Sequence, residues 1–299
     1  MPPRISLKQL HVFISIVQNK TLTEAAQSLF LSKAAVSMAL SELEKHIGHP
    51  LFDRVNNRLI LNQEGQKMLP VADEIIRRSQ ELEGLFDSDK SLAGFLRIGA
   101  SDTLGNHVLP YLLSDFRHQT QHRSQSLLIS NSAQICNKLL AYELDIGVIE
   151  GKSTHPDLIS TSFSEDEMCV ICAPNQAQSV QAASSVAALE NKPWVLREEG
   201  SGSRTFFLKT IAPRLENWQE AFQLNTTEAL INSVSAGLGF GCLSRLAAQS
   251  AIQDGRVNVI PIPLDLKRRF WLVVHRQKYQ SLLLKTFIQF CKDWQHPKI

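Results

Sequence analysis

The stretch Thr21-Leu22-Thr23-Glu24-Ala25-Ala26-Gln27-Ser28-Leu29-Phe30-Leu31-Ser32-Lys33-Ala34-Ala35-Val36-Ser37-Met38-Ala39-Leu40 decides how this chain begins. Thr21 and Glu24 stand three apart, the spacing at which a hydroxyl caps a helix and a carboxylate reaches back to it. Ala25, Ala26 and Leu29 form the inward face of a short helix, and the small alanines let a second helix come close. Ser32 is a natural N-cap for that second helix. It buries Val36, Leu40, Leu43 and Ile47 and turns Lys33, Ser37, Met38, Ser41 and Lys45 outward, and Gly48 stops it.

Working outward, Leu7, Leu10, Phe13, Ile14 and Val17 recur at helical spacing ahead of the pair, and Asn19-Lys20 breaks that helix. Behind it, Leu51-Phe52-Asp53-Arg54-Val55 and Arg58-Leu59-Ile60-Leu61 flank Asn56-Asn57, a turn able to take left-handed geometry. Two short helices with a polar outer face on the second make a helix-turn-helix, and the hairpin makes its wing. In that motif the second helix enters the major groove, polar residues meet base edges, and hydroxyls and backbone N–H groups hold phosphates. Residues of this kind here are Thr23, Ser32, Lys33, Ala35, Ser37, Met38 and Ser41, with Arg54, Asn56, Asn57 and Arg58 on the wing. Pattern alone equally fits a plain three-helix bundle with solvated charges.

The net charge of the 299 residues is only +2, so bulk charge does not suggest nucleic acid. Its distribution is uneven. Met1–Lys67 holds eight basic and five acidic residues, whereas Met68–Lys90 holds three basic and six acidic. In that acidic segment Met68, Ala72, Ile75, Ser79, Leu82 and Phe86 are spaced 4, 3, 4, 3, 4, a heptad seam broadened by Ile76 and Leu85. With charged flanks and no partner helix following, the seam is expected to meet its copy in a second chain. Pro70 should kink or delay the helix near its start.

After Ser91 short β-branched runs alternate with helical patterns. Strands are expected at Phe95–Gly99, Leu127–Ile129 and Leu144–Ile149, with a helix through Val108, Leu109, Leu112 and Phe116 and another through Ile135, Leu139 and Leu140. This rhythm means parallel βαβ units, which bind ligands at the carboxyl ends of their strands. A second αβ portion has strands at Met168–Ala173 and Trp194–Leu196, then Ser201-Gly202-Ser203-Arg204 before a helix. Phe270–Val274 and the helix Leu282–Trp294 return to the first portion. Ser101 with Asp102 and Thr103, Asn131 with Ser132, and Ser201 with Ser203 each mark a helix start after a strand. There hydroxyls, backbone N–H groups and helix dipoles suit an anion. Arg204 is expected to add charge, and Glu150 to orient donors or pair with Arg204.

Leu7–Gly65 resembles the winged helix-turn-helix of LysR-type transcriptional regulators. Leu10-x-x-Phe13, Ala25-Ala26-x-x-Leu29, Ser32, Val36-Ser37, Leu43-Glu44, Gly48-x-x-Leu51-Phe52-x-Arg54 and Leu61-x-x-x-Gly65 carry the likeness. The family often has Gln where Lys33 stands and a polar or basic residue where Met38 stands, so the operator sequence does not carry over. Ala100–Asn106, Leu144–Gly151 and Arg197–Arg204 resemble the branch containing regulators of sulphur assimilation and carbon fixation. The resemblance implies an α/β architecture of three parts. Residues 1–65 form a winged helix-turn-helix, and 66–90 a dimerising linker helix. Residues 91–299 form an effector domain like a periplasmic binding protein, with subdomain I at 91–162 and 264–299 and subdomain II at 163–263. It also implies operator DNA, a small-molecule effector, the chain itself as a homodimer or homotetramer, and RNA polymerase as partners. A small oxyanion, first an inorganic sulphur anion and second a phosphorylated metabolite, fits the cleft donors. No cofactor and no metal are expected.

Other signals are weaker. Cys169-Val170-Ile171-Cys172 is formally CxxC but lies in an apolar strand, where core packing is expected. Gly237-Leu238-Gly239-Phe240-Gly241 lacks dinucleotide spacing and is expected to be a helix end running into a strand. Asp265–Arg269 is expected to be a solvated basic turn. Five cysteines in no framework spacing, an N-terminus without an apolar signal core and no long apolar run suit a cytoplasmic chain that does not enter membranes. The competing class is a small-molecule-binding protein or enzyme of periplasmic-binding-protein fold without DNA binding. A carrier of that kind needs an export signal, and an enzyme a convergent acid, base or nucleophile.

Overall fold

The computed structural model describes residues 4–56, 58–84, 92–176 and 185–295. Helix α1 spans Leu7–Asn19. It starts at a reciprocal capping box between Ser6 and Gln9 and ends where Lys20 turns left-handed at φ 63°. Helix α2 spans Leu22–Ser28 under a Thr21 cap, and α3 spans Lys33–Ile47 under a Ser32 cap that accepts from the Ala35 N–H at 3.1 Å. Strands β1 (Phe52–Val55) and β2 (Arg58–Leu61) form the antiparallel wing, with Asn56 left-handed at φ 48°. Phe13, Ala25, Val36, Leu40, Leu43 and Phe52 close one core under these elements.

Helix α4 spans Gln63–Glu83, capped by Asn62 on the Gly65 N–H and ending at Gly84. It thus starts before the expected boundary at 66. Pro70 lies inside it without delaying it, since a proline removes one ladder bond but its neighbours hold the turn. Leu69, Ala72 and Ile76 belong to the core of the winged domain, so helix and domain form one packed body.

The remaining strands are β3 (Leu96–Ala100), β4 (Gln125–Ile129), β5 (Ile146–Glu150), β6 (Leu158–Cys172), β7 (Pro193–Arg197), β8 (Gln219–Leu224), β9 (Phe240–Ser244), β10 (Asn258–Ile260) and β11 (Lys267–His275). Their order is β4-β3-β5-β11-β6-β9-β7-β8, with β10 on β6. Around β3, β4 and β5 pack α5 (Asp102–His107), α6 (Leu109–Thr120), α7 (Ser132–Leu140) and the closing α11 (Leu282–Asp293). Around β7, β8 and β9 pack α8 (Gly202–Thr210), α9 (Thr227–Ser235) and α10 (Arg245–Gln253). The single helix expected after β3 is two, broken at Val108, where Pro110 starts the second. β3 is parallel to β4 and β5, and β7 to β8 and β9, which makes two α/β halves with separate cores. β6 begins at Leu158, earlier than the expected Met168, because it runs antiparallel to β11 as a ribbon crossing from one half to the other. Asp265 precedes that ribbon, and Lys267–Arg269 lie in it rather than in a solvated turn.

Candidate functional site

The outer face of α3 carries Lys33, Met38 and Ser41 exposed and Ala35 and Ser37 half-buried, while Val36, Leu40 and Leu43 hold the helix down. Met38 stands 64% exposed, an apolar side chain that the described residues leave largely uncovered. The Ser32 hydroxyl is committed to its cap, and Thr23 is exposed on α2. Arg54, Asn56 and Arg58 are exposed on the wing, while Asn57 lies outside the described residues. Sequence reasoning passed over Phe30, which stands 97% exposed in the turn between α2 and α3 at φ 54°.

The heptad seam divides. Ala72 is buried and Met68 half-buried against the winged domain of the same chain, and Ser79 is half-buried. Val71, Ile75 and Leu82 form a separate exposed stripe at spacings of four and seven. Leu85 and Phe86 lie outside the described residues. A helix with two apolar faces reads in sequence as one broad seam, and only packing tells which face the chain uses itself.

In the effector half, the helix starts converge on the seam between the two α/β portions, and that seam is closed. Asp102 at the head of α5 accepts from Arg197 Nη1 and from the Thr227 N–H, both at 3.2 Å, so it bridges the two halves. The Asn131 amide donates to Glu198 at 3.1 Å, and the Ala133 N–H donates to the Gly200 carbonyl at 3.1 Å. Gly202 lies so close to Glu150 that a Cβ would sit 2.5 Å from the Glu150 Cβ. A side chain there would wedge the halves apart. Ser132 Oγ donates to the Glu150 carbonyl at 3.4 Å. Thr103, Ser201 and Ser203 are buried. Ser101 is fully buried, and its hydroxyl has no hydrogen-bond partner among the described residues. At the outer mouth a cavity of about 720 Å³ is walled by Asp102, Asn131, Arg197, Glu198 and Thr227.

Two cations govern this seam, and neither is Arg204. Arg204 bonds the Arg197 carbonyl at 3.0 Å and the Glu220 carboxylate at 2.7 Å, tying α8 to β8 away from Glu150. The partner of Glu150 is Arg268, at 3.5 Å; Arg268 also donates to Asp166 at 2.6 Å and to Ser203 at 3.3 Å. Arg197 is the second, gripping Asp102, Glu198 and the Thr227 hydroxyl. A period-two signal was present for Arg268: it shares a strand face with Phe270, Leu272 and Val274, all buried.

The pattern of winged helices, linker and two-lobed domain has relatives throughout. Residues 7–66 match the model of the bacterial regulatory helix-turn-helix protein of the lysR family, and residues 89–295 match the LysR substrate binding domain. The chain belongs to the LysR family of transcription regulators. It is 35% identical over 295 residues to the uncharacterized HTH-type transcriptional regulator YeiE of Escherichia coli, covering 98% of this chain and 99% of that one. It is 27% identical to the RuBisCO operon transcriptional regulator of Allochromatium vinosum, covering 91% and 90%. A full-length OxyR from Pseudomonas aeruginosa shares the fold at a TM-score of 0.73 and 19% identity, covering 97% and 96%.

This LysR-family regulator also has an ion cluster where α4 meets the effector domain. Lys278 Nζ donates to Asp73 at 2.7 Å and lies 2.9 Å from Asp145. Arg77 and Arg97 each reach Asp145 at 2.8 Å. Burial would raise the Asp145 pKa, but Lys278, Arg97 and Arg77 together hold it well below the carboxylate range. Burial pulls the Lys278 ammonium below its ordinary value despite both carboxylates. Beside them Tyr142 O–H donates to His275 Nδ1 at 2.8 Å, and Gln18 bonds the Tyr142 carbonyl at 3.3 Å. Cys169 and Cys172 face separate cores, and burial pushes the Cys169 thiol up to about 12, which leaves it protonated and unreactive. The Gly237–Gly241 segment is the end of α9 leading into β9.

Proposed function

We propose that this regulator binds operator DNA as a homodimer or homotetramer and senses a small oxyanion held in the closed seam of its effector domain. Lys33, Ser37 and Met38 on α3 meet base edges, and Arg54 and Arg58 meet the backbone beside them. The stripe Val71, Ile75 and Leu82 pairs with its copy and sets two recognition helices on two half-sites. Such a regulator works in the cytoplasm, with RNA polymerase as its downstream partner.

The observation that carries the effector assignment is the Ser101 hydroxyl, fully buried and without a hydrogen-bond partner among the described residues. An unpaired buried hydroxyl costs about 1–3 kcal/mol, a cost that a bound acceptor removes. Arg268 stands in the same seam, held tightly by Asp166 and loosely by Glu150, so an anion can take the Glu150 side. Asp102, Glu150, Asp166 and Glu198 outnumber Arg197 and Arg268, so the surrounding charge works against an anion, the binding falls to hydroxyl and backbone N–H donors, and singly charged hydrogen sulphite is repelled less than the dianions. Opening and closing of the two halves around it would change the spacing of half-sites. Calorimetry with sulphite, sulphate, thiosulphate and sugar phosphates tests this on wild type, Ser101→Ala and Thr103→Val. Expected is binding of at least one anion by wild type, weakened about tenfold or more in Ser101→Ala. Binding of an apolar metabolite and of none of these anions overturns the oxyanion.

A further inference from the structure

The outward face of α3 is apolar at its centre and basic at its ends. Val36, Leu40 and Leu43 hold the helix down, and at about 100° per residue Met38 points about 200° away from Val36. Met38 is largely exposed, and Ala34, one turn ahead of it, is exposed as well. Lys33 and Lys45 are exposed toward the two ends of the helix, and neither forms an ion pair among the described residues. The two acids of α3 are engaged by the chain itself. Glu42 accepts from Gln9 Nε2 at 3.4 Å, and Glu44 accepts from the Leu51 N–H at 2.8 Å. Stability does not account for a methionine at the middle of such a face. It gains nothing from facing water, and lysine, arginine or glutamine would favour the helix equally.

We propose that Met38 is a specificity-determining residue that reads the 5-methyl group of one thymine in each operator half-site. The inference rests on the placement of α3 in the major groove proposed above and names the base that its central side chain selects. A face with free cations at both ends is drawn against the duplex, which brings its centre to the base edges. Guanine presents two acceptors there, cytosine an amine donor and adenine one of each, whereas thymine presents an acceptor and a methyl group. Methionine has no donor and only a weakly accepting sulphur. Against cytosine or adenine it leaves an amine unpaired, and against guanine it leaves two acceptors unpaired. Against thymine it covers the methyl, so apolar surface leaves water on both sides, and O4 stays open to a donor such as the exposed Ser41 hydroxyl. The unbranched thioether can follow the position of the methyl, which a stiffer side chain cannot.

The full-length protein is first used to select duplexes from a random-sequence pool. Gel shifts then compare the selected duplex with copies in which each thymine of one half-site is replaced in turn by deoxyuridine, which lacks only the methyl. One of these replacements should weaken wild-type binding about fourfold, the loss expected for one buried methyl group. Met38→Ala should fold normally, because the side chain is exposed, and should bind the thymine and deoxyuridine duplexes equally. Met38→Leu keeps an apolar end of similar size and should keep the preference. The thymine assignment alone is overturned if wild type binds its selected duplex and no deoxyuridine replacement weakens it, or if Met38→Ala retains the preference. If wild type selects no duplex at all, the base-reading role of α3 falls and the assignment falls with it.

Discussion

Replacing Lys278 by Met should cost about 3 kcal/mol, the lower end of the roughly 3–5 kcal/mol seen when one partner of a buried ion pair is removed. The side chain of Lys278 is only 2% exposed, and its ammonium contacts Asp73 and Asp145 at 2.7 and 2.9 Å. The lower end applies because the cluster has three cations for two carboxylates, so the variant leaves two of each. The loss falls unevenly. Asp145 keeps Arg77 and Arg97, each at 2.8 Å, whereas Asp73 keeps only contacts of 3.6 and 3.9 Å to the same arginines. Adding Asp73→Asn removes the stranded charge and should restore most of the stability. Because the cluster joins α4 to the effector domain, the single variant should also loosen that joint. Urea denaturation of both variants measures the first effect, and small-angle scattering of the single variant measures the second. A single variant within about 0.5 kcal/mol of wild type, or a double variant no more stable than the single, refutes the assignment of the cluster as the joint.

Three further outcomes are expected. Burial holds the His275 pKa below its ordinary value, and Nδ1 accepts from Tyr142 O–H and the Gln277 N–H, so the neutral ring is the folded form. A lowered folded pKa gives stability that is complete above about pH 6.5 and declines as the pH falls below it. His275→Gln should flatten the stability profile between about pH 7 and 5, and an unchanged slope counts against this role. Arg54→Ala and Arg58→Ala should each lower the salt slope of operator binding by about 0.9 if a phosphate contact is lost, and wild-type slopes in gel shifts at several salt concentrations would remove the wing from the interface. Ile75→Asp and Leu82→Asp, at positions 41% and 64% exposed in the single chain, should leave its fold intact yet weaken self-association by several kcal/mol. Sedimentation showing the same assembly as wild type would place the dimer contact elsewhere.

The sequence by itself determined the elements whose causes are local. Thr21 and Ser32 cap the helices they precede, Gly48 ends α3, Asn56 takes the left-handed turn of the wing, and the alternation after Ser91 produces two parallel α/β halves. Each of these rests on contacts a few residues apart, which spacing reveals. What the tertiary structure decided concerns groups far apart in the chain. Glu150 pairs with Arg268 across 118 residues rather than with Arg204, and Lys278 meets Asp73 across 205. Of the apolar positions on α4, packing against the winged domain takes Leu69, Ala72 and Ile76, while Val71, Ile75 and Leu82 stand exposed among the described residues. A charged side chain carries no mark of its partner in the sequence, because the partner is set by the register of the crossing strands and by how two separately packed cores close on one another.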